Sequence, residues 1–239
     1  MKLWVPFWIA EAVFAALFIL FGYPQSTKKG FVCKMFACAL YTANGLYAYA
    51  LVGQNPYGTA ILAGLVCGWI GDVFLAIDPF MQAQPKPGRK IIFKVLGGLF
   101  FLLGHAAYMA AFLYLLLASH AFRLLPFALA MGCVLLCIAL VFALCKVSGG
   151  KYTAPIAVYA VGLSGMCALA ICAALLVYDG QTVMQGMLIA APLLFAFSDV
   201  TLALRCADRD RFESLPMRAV SLGAYFLAQM LLGLSILPA

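Results

Sequence analysis

Eight apolar runs of about 20 residues, separated by short polar breakers, take up most of this 239-residue chain. At 1.5 Å of helical rise per residue such a run matches a hydrocarbon core of about 30 Å, where the backbone must satisfy its own hydrogen bonds. The runs are continuous rather than alternating, which favours helices over barrel strands. The expected spans are 4–22, 32–52, 58–78, 93–118, 123–145, 154–177, 184–204 and 217–237. Between them lie Tyr23-Pro24-Gln25-Ser26, Gly53-Gln54-Asn55-Pro56, Pro79 through Gly88, Ser148-Gly149-Gly150 and Asp179-Gly180, all turn chemistry. With 67% hydrophobic and 10% charged residues, no stretch is left for a separate soluble domain. The expected fold is an all-α integral membrane protein, one transmembrane domain over 1–239, built as a bundle of eight transmembrane helices.

The net charge of +7 would point to nucleic acid in a soluble protein, but here the basic residues sit at helix ends. The odd-numbered loops hold Lys28, Lys29 and Lys34; Lys86, Arg89, Lys90 and Lys94; Lys146 and Lys151; and Arg205, Arg209, Arg211 and Arg218. Only Lys2 and Arg123 fall on the other side. That asymmetry predicts cytoplasmic odd loops and both termini on the non-cytoplasmic side. Membrane lipid is an expected partner and nucleic acid is not. Lys2 precedes an apolar run with no cleavage site behind it, so the run is expected to stay as the first helix. An uncleaved first helix and short loops suit a bacterial inner membrane. Most of the nine Cys lie inside apolar runs and none forms a CxxC pair, so neither disulfides nor zinc is expected; no cofactor is expected.

Two stretches of similar spelling stand out, Gly71-Asp72-Val73-Phe74-Leu75-Ala76 and Ser198-Asp199-Val200-Thr201-Leu202-Ala203. An ionised Asp inside a membrane helix costs about 2.5–3.5 kcal/mol on the insertion scale, so each needs a reason. The third and seventh helices run in the same direction, which sets both carboxylates about two turns from the cytoplasmic end. Lys34, His105, Tyr159 and Tyr225 fall in the same half, and Asn44, Tyr108, Ser164 and Gln229 continue towards mid-membrane. Each has a plain alternative. The Asp residues could be helix glue, Lys34 could snorkel to head groups, and His105 could be a satisfied interior histidine. Glu11 carries no assignment. Two carboxylates at one depth beside a His and several Tyr favour a functional cavity entered from the cytoplasmic leaflet. Gly64, Gly68 and Gly71 would let a neighbouring backbone come close to Asp72. The echo of the two stretches leaves open a duplication into two parallel four-helix repeats.

Taken in order, Lys34, Gly71-Asp72, Leu103-Gly104-His105-Ala106-Ala107-Tyr108, Pro155-Ile156-Ala157-Val158-Tyr159, Ser198-Asp199 and Tyr225-Phe226-Leu227-Ala228-Gln229 resemble the YhhN family of membrane proteins. Its characterised members are lysoplasmalogenases. Met35 stands where the family often has Pro, and Trp69-Ile70 precede the first Gly-Asp. The resemblance implies a lysophospholipid substrate, hydrolysis of its vinyl-ether bond to a fatty aldehyde and a glycerophospho-head group, and no required metal. It fits the residues: the vinyl ether is protonated at carbon, water captures the resulting cation, and the two steps call for an acid and a base. Asp72 and Asp199 are the expected catalytic pair. Lys34, Asn44, His105, Tyr108, Tyr159, Ser198, Tyr225 and Gln229 would bind or position substrate, with Lys34 at the lipid phosphate. The same residues would also suit a proton-coupled transporter or channel, or a purely structural membrane protein.

Overall fold

The computed structural model describes residues 4–23, 27–81, 89–148 and 153–238. The predicted breakers at 24–26, 82–88 and 149–150, with Lys2, Lys86 and Lys151, lie outside the described residues. Every regular element among the described residues is helical: α1 Trp4–Phe21, α2 Lys28–Val52, α3 Pro56–Met81, α4 Arg89–Ala118, α5 Leu124–Leu144, α6 Thr153–Leu176, α7 Thr182–Ala207, α8 Arg209–Phe212 and α9 Leu215–Leu234. Seven of them are long and apolar enough to cross a membrane, and α1 is a shorter apolar helix. The chain is a multi-pass membrane protein.

Several helices outrun their apolar stretches because capping continues them into polar sequence. At the start of α2 the Thr27 hydroxyl accepts from the Gly30 N–H at 3.0 Å, so the helix begins at Lys28 rather than at the first apolar residue. The Ser214 hydroxyl does the same for α9 through Met217 N–H, at 3.3 Å. Gly53 ends α2 with φ 83°, a conformation open to glycine, and its N–H closes on the Tyr49 carbonyl at 3.0 Å. The one-turn α8 was not predicted. It is polar, and Asp208 caps it through the Arg211 N–H, a device that hydropathy does not register.

Helices α2, α3, α4, α6, α7 and α9 each pack against the next, and α9 closes back on α2, making a ring of six. Outside it, α1 lies against α2 and α9, and α5 lies against α6. No residue of α5 is buried, in keeping with a helix whose surroundings are lipid. The packing repeats four spans on: α1 on α2 corresponds to α5 on α6, α2 on α3 to α6 on α7, α3 on α4 to α7 on α9, and α4 on α6 to α9 on α2.

Inside the ring the tightest seam is α3 against α4. A side chain at Gly64 would occupy the space of the Tyr108 ring, and one at Gly71 would meet Phe101 at 2.9 Å and the Gly97 carbonyl at 3.1 Å. The expected close approach along Gly64, Gly68 and Gly71 therefore admits aromatic rings as well as backbone. Tyr41, Tyr108, Phe112 and Phe195 are the largest fully buried side chains. In α7, Pro192 removes one backbone donor six residues before Ser198, and the Cys167 thiol donates to the Pro192 carbonyl at 3.4 Å.

Candidate functional site

Asp72 is 3% exposed on α3, and its two oxygens divide their partners. The Lys34 ammonium of α2 lies 2.6 Å from Oδ1. Oδ2 accepts from the Tyr225 hydroxyl at 2.5 Å, the Cys38 thiol at 3.2 Å and the Tyr41 hydroxyl at 3.4 Å. Behind Tyr225 the chain of bonds goes on: Gln229 Nε2 donates to its oxygen at 3.0 Å, and the Tyr108 hydroxyl donates to Gln229 Oε1 at 2.7 Å. A buried charge without these partners would be strongly unfavourable, and this one has an ammonium and three donors.

Asp199 on α7 is differently kept. The Tyr159 hydroxyl of α6 donates to Oδ2 at 2.7 Å, and His105 Nε2 of α4 lies 3.3 Å from the same oxygen. Tyr159 has one proton to give, so at 2.9 Å its oxygen accepts from His105 Nε2. Among the described residues His105 Nδ1 has no hydrogen-bond partner, Asp199 Oδ1 accepts no hydrogen bond, and no Lys or Arg pairs with Asp199. The His105 ring is held edge-on by Phe195, with centroids 5.0 Å apart, and Phe195 also meets Tyr225 at 5.4 Å. Phe195 thus touches both carboxylate clusters.

The partners follow the packing pattern of the ring. Asp72 takes its ligands from the helix before it, α2, and from α9 of the other half; Asp199 takes them from the helix before it, α6, and from α4 of the other half. Each carboxylate is completed by a helix from across the molecule.

Both carboxylates line one cavity of about 670 Å³, together with Lys34, Phe101, Ser198 and Tyr225. Its wall continues along Gly22, Thr27 and Gly30 to Lys94, Arg205 and Arg218, so it opens where α2, α4 and α9 begin and α3 and α7 end. At that end Arg205 pairs with Glu213 through Nε to Oε2 at 2.8 Å and Nη2 to Oε1 at 3.1 Å. Burial pushes the Glu213 carboxyl up, but the hydrogen bonds and charge of Arg205, with the charges of Arg218 and Arg209, outweigh it and hold the group below its ordinary value.

Of the residues expected from sequence, Lys34, Asp72, Ser198, Asp199 and Tyr225 reach the cavity wall. His105, Tyr159, Tyr108 and Gln229 stand behind them, joined by the hydrogen bonds above. Asn44 lies elsewhere: its Nδ2 donates to the Met230 carbonyl at 3.2 Å, a contact between α2 and α9. Ser198 contributes its carbonyl, which accepts from Thr201 at 2.8 Å and Ser221 at 3.2 Å and ties α7 to α9. Lys34 is engaged with Asp72 rather than standing alone at the mouth. Cys38 and Tyr41 were missed, although they follow Lys34 at i+4 and i+7 and so share its face of α2. Arg205 and Arg218 enter the sequence reading only as charges that set orientation, and Glu213 does not enter it at all. Among the described residues no group of three or more His, Cys, Asp or Glu could hold a metal ion.

Compared with known families, residues 31–236 match the YhhN family. The chain belongs to the YhhN family. Neither the search of curated proteins nor that of solved structures finds a match. The matched span of this YhhN protein starts within α2 and takes in every residue of the two carboxylate clusters.

Proposed function

We propose that this protein is a membrane hydrolase that cleaves the vinyl-ether bond of lysoplasmalogens, releasing a fatty aldehyde and a glycerophospho-head group. Membership of the YhhN family supports the substrate class. The observation that carries the reaction is the unequal keeping of two carboxylates on the wall of one cavity.

Asp72 has its own ammonium, so it serves as the carboxylate of the pair. Asp199 has an imidazole and a phenol on Oδ2 and an unbonded Oδ1, so it serves as the proton carrier. In the first step the Asp199 carboxyl transfers its proton to the vinyl carbon remote from the ether oxygen. The C=C electron pair forms the new C–H bond, and the adjacent carbon becomes an oxocarbenium ion facing the Asp72 and Asp199 carboxylates. Water adds to that carbon while a carboxylate takes its proton, giving a hemiacetal. As the hemiacetal collapses, its hydroxyl proton passes to a carboxylate, the C–O bond to glycerol breaks to leave the aldehyde, and a carboxyl proton goes to the departing glycerol oxygen. His105 and Tyr159 hold Asp199 in place, and Tyr225, fixed by Asp72 and Gln229, presents its hydroxyl to the cavity for water.

In this reading α1 completes eight crossings, and the cavity opens to the cytoplasmic leaflet of a bacterial inner membrane with both termini on the far side. The basic residues at the cavity end support that orientation. The four-span repeat in packing, with the crosswise supply of ligands to Asp72 and Asp199, supports a parallel duplication of a four-helix unit. That same pseudo-symmetry is what favours the second reading, proton-coupled transport.

The deciding experiment incubates purified protein in detergent with a vinyl-ether lysolipid and with its saturated-ether analogue, and assays free aldehyde. Release from the vinyl ether alone is expected. Release from neither, together with proton-driven accumulation of a substrate in vesicles, would favour transport instead.

A further inference from the structure

The mouth of the cavity carries a cluster that the proton chemistry at Asp72 and Asp199 leaves unused. Arg205 grips Glu213 through two hydrogen bonds, and Arg218 Nη1 lies 3.5 Å from Glu213 Oε1. These side chains are largely sequestered, Arg205 at 10% exposure, Arg218 at 12% and Glu213 at 15%. Arg218 is braced further by the Phe18 ring, 5.5 Å from its guanidinium carbon, and its buried Nε has no hydrogen-bond partner among the described residues. One carboxylate cannot balance two guanidinium groups, and Arg209 adds positive charge to the same wall. Deeper in, Lys34 is matched by Asp72 at 2.6 Å. The surplus positive charge of the cavity therefore sits at its mouth, on planar groups already oriented by Glu213.

We infer that Arg205 and Arg218 form a receptor for the phosphate of the lysolipid head group, with Glu213 as the residue that positions them. A guanidinium has five N–H donors, so the Arg205 contacts to Glu213 through Nε and Nη2 leave others for phosphate oxygens. This assignment replaces Lys34, whose ammonium is taken up by Asp72, as the phosphate ligand. It rests on the proposed hydrolase for the identity of the lipid, and it adds what selects that lipid: a phosphate ester at the mouth with the ether bond reaching the carboxylates.

The test measures equilibrium binding to the purified full-length protein in nonionic detergent, using a saturated-ether lysophosphocholine, the matching alkylglycerol without phosphate, and inorganic phosphate. Binding of the lysophosphocholine about tenfold or more tighter than the alkylglycerol is expected, in line with charge-assisted hydrogen bonds. Arg218→Gln and Arg205→Gln should each erase most of that difference and leave alkylglycerol binding as it was; Arg218→Lys should recover part of it. Equal affinity for the two lipids overturns the receptor, as does an unchanged ratio in the Gln variants. Inorganic phosphate binding as tightly as the lysophosphocholine would also overturn it, by making free phosphate the ligand. A protein that binds selectively yet releases no aldehyde from a vinyl ether keeps the receptor and loses the hydrolase.

Discussion

The Lys34 ammonium and the Asp72 carboxylate meet at 2.6 Å, both almost wholly buried, between α2 and α3. Removing one partner strands the other in apolar surroundings. Lys34→Met is expected to destabilise the fold by about 3–5 kcal/mol, as breaking buried pairs generally does. The double variant Lys34→Met with Asp72→Asn should recover part of that loss, because no unpaired charge remains. Thermal unfolding of the four members of the cycle in one detergent reads the coupling, and strict additivity would show the pair to be energetically idle.

Asp199 should matter most to rate. Asp199→Asn keeps the shape and removes the transferable proton, so aldehyde release should fall by about 10²–10⁴-fold, the usual contribution of a positioned acid. Its unfolding temperature should change little, since Asn still accepts from Tyr159. A purified, folded variant that keeps the parent rate would remove Asp199 from the chemistry.

Tyr159→Phe separates holding from reacting. It deletes the 2.7 Å bond to Asp199 and the acceptor for His105. A drop in kcat of about 10-fold with KM nearly unchanged is expected for a group that acts through Asp199 rather than on the lipid. A rise in KM alone would mean that Tyr159 touches substrate.

Hydropathy carried much of the fold, because lipid imposes a length on each helix separately. Counting loops led to the expectation of a common depth for Asp72 and Asp199, and both line one cavity. What could not be read was which helix faces which. That Asp72 draws on Tyr225 and Asp199 on His105 is a property of the closed ring, which no local pattern encodes. Asn44 shows the limit from the other side: a buried amide on the same helix as Lys34 binds a backbone carbonyl of α9 and stays off the cavity wall. Cys38 and Tyr41 were recoverable from their spacing after Lys34, while the Arg205–Glu213–Arg218 contacts needed α8 to fold the loop back.

The ion cluster at the mouth sets a pH response. Glu213 has an ordinary carboxyl value of 4.5 and a lower one in the fold, chiefly through Arg205 working against burial. A depressed carboxylate adds stability that is fully present above 4.5 and is lost as pH falls through its folded value. Wild type should therefore exceed Glu213→Gln in unfolding temperature at pH 7 and at pH 5, with the gap closing only below 4.5. A gap that closes between pH 7 and 5 would assign the effect to another group.

Gly64 tests the α3–α4 seam. A Val there must displace the Tyr108 ring, and with it the bond from Tyr108 to Gln229. A loss of about 1–3 kcal/mol is expected, as for other overpacked cores. Gly98, where an added Cβ meets nothing within 4 Å, should accept Ala without loss and serves as the control.

Because α9 completes the pocket of Asp72 and α4 that of Asp199, neither half of the polypeptide owns a finished carboxylate. Severed in the loop between Ala118 and Leu124, the two fragments would be inert apart and competent only as a pair, each acting as the other's cofactor.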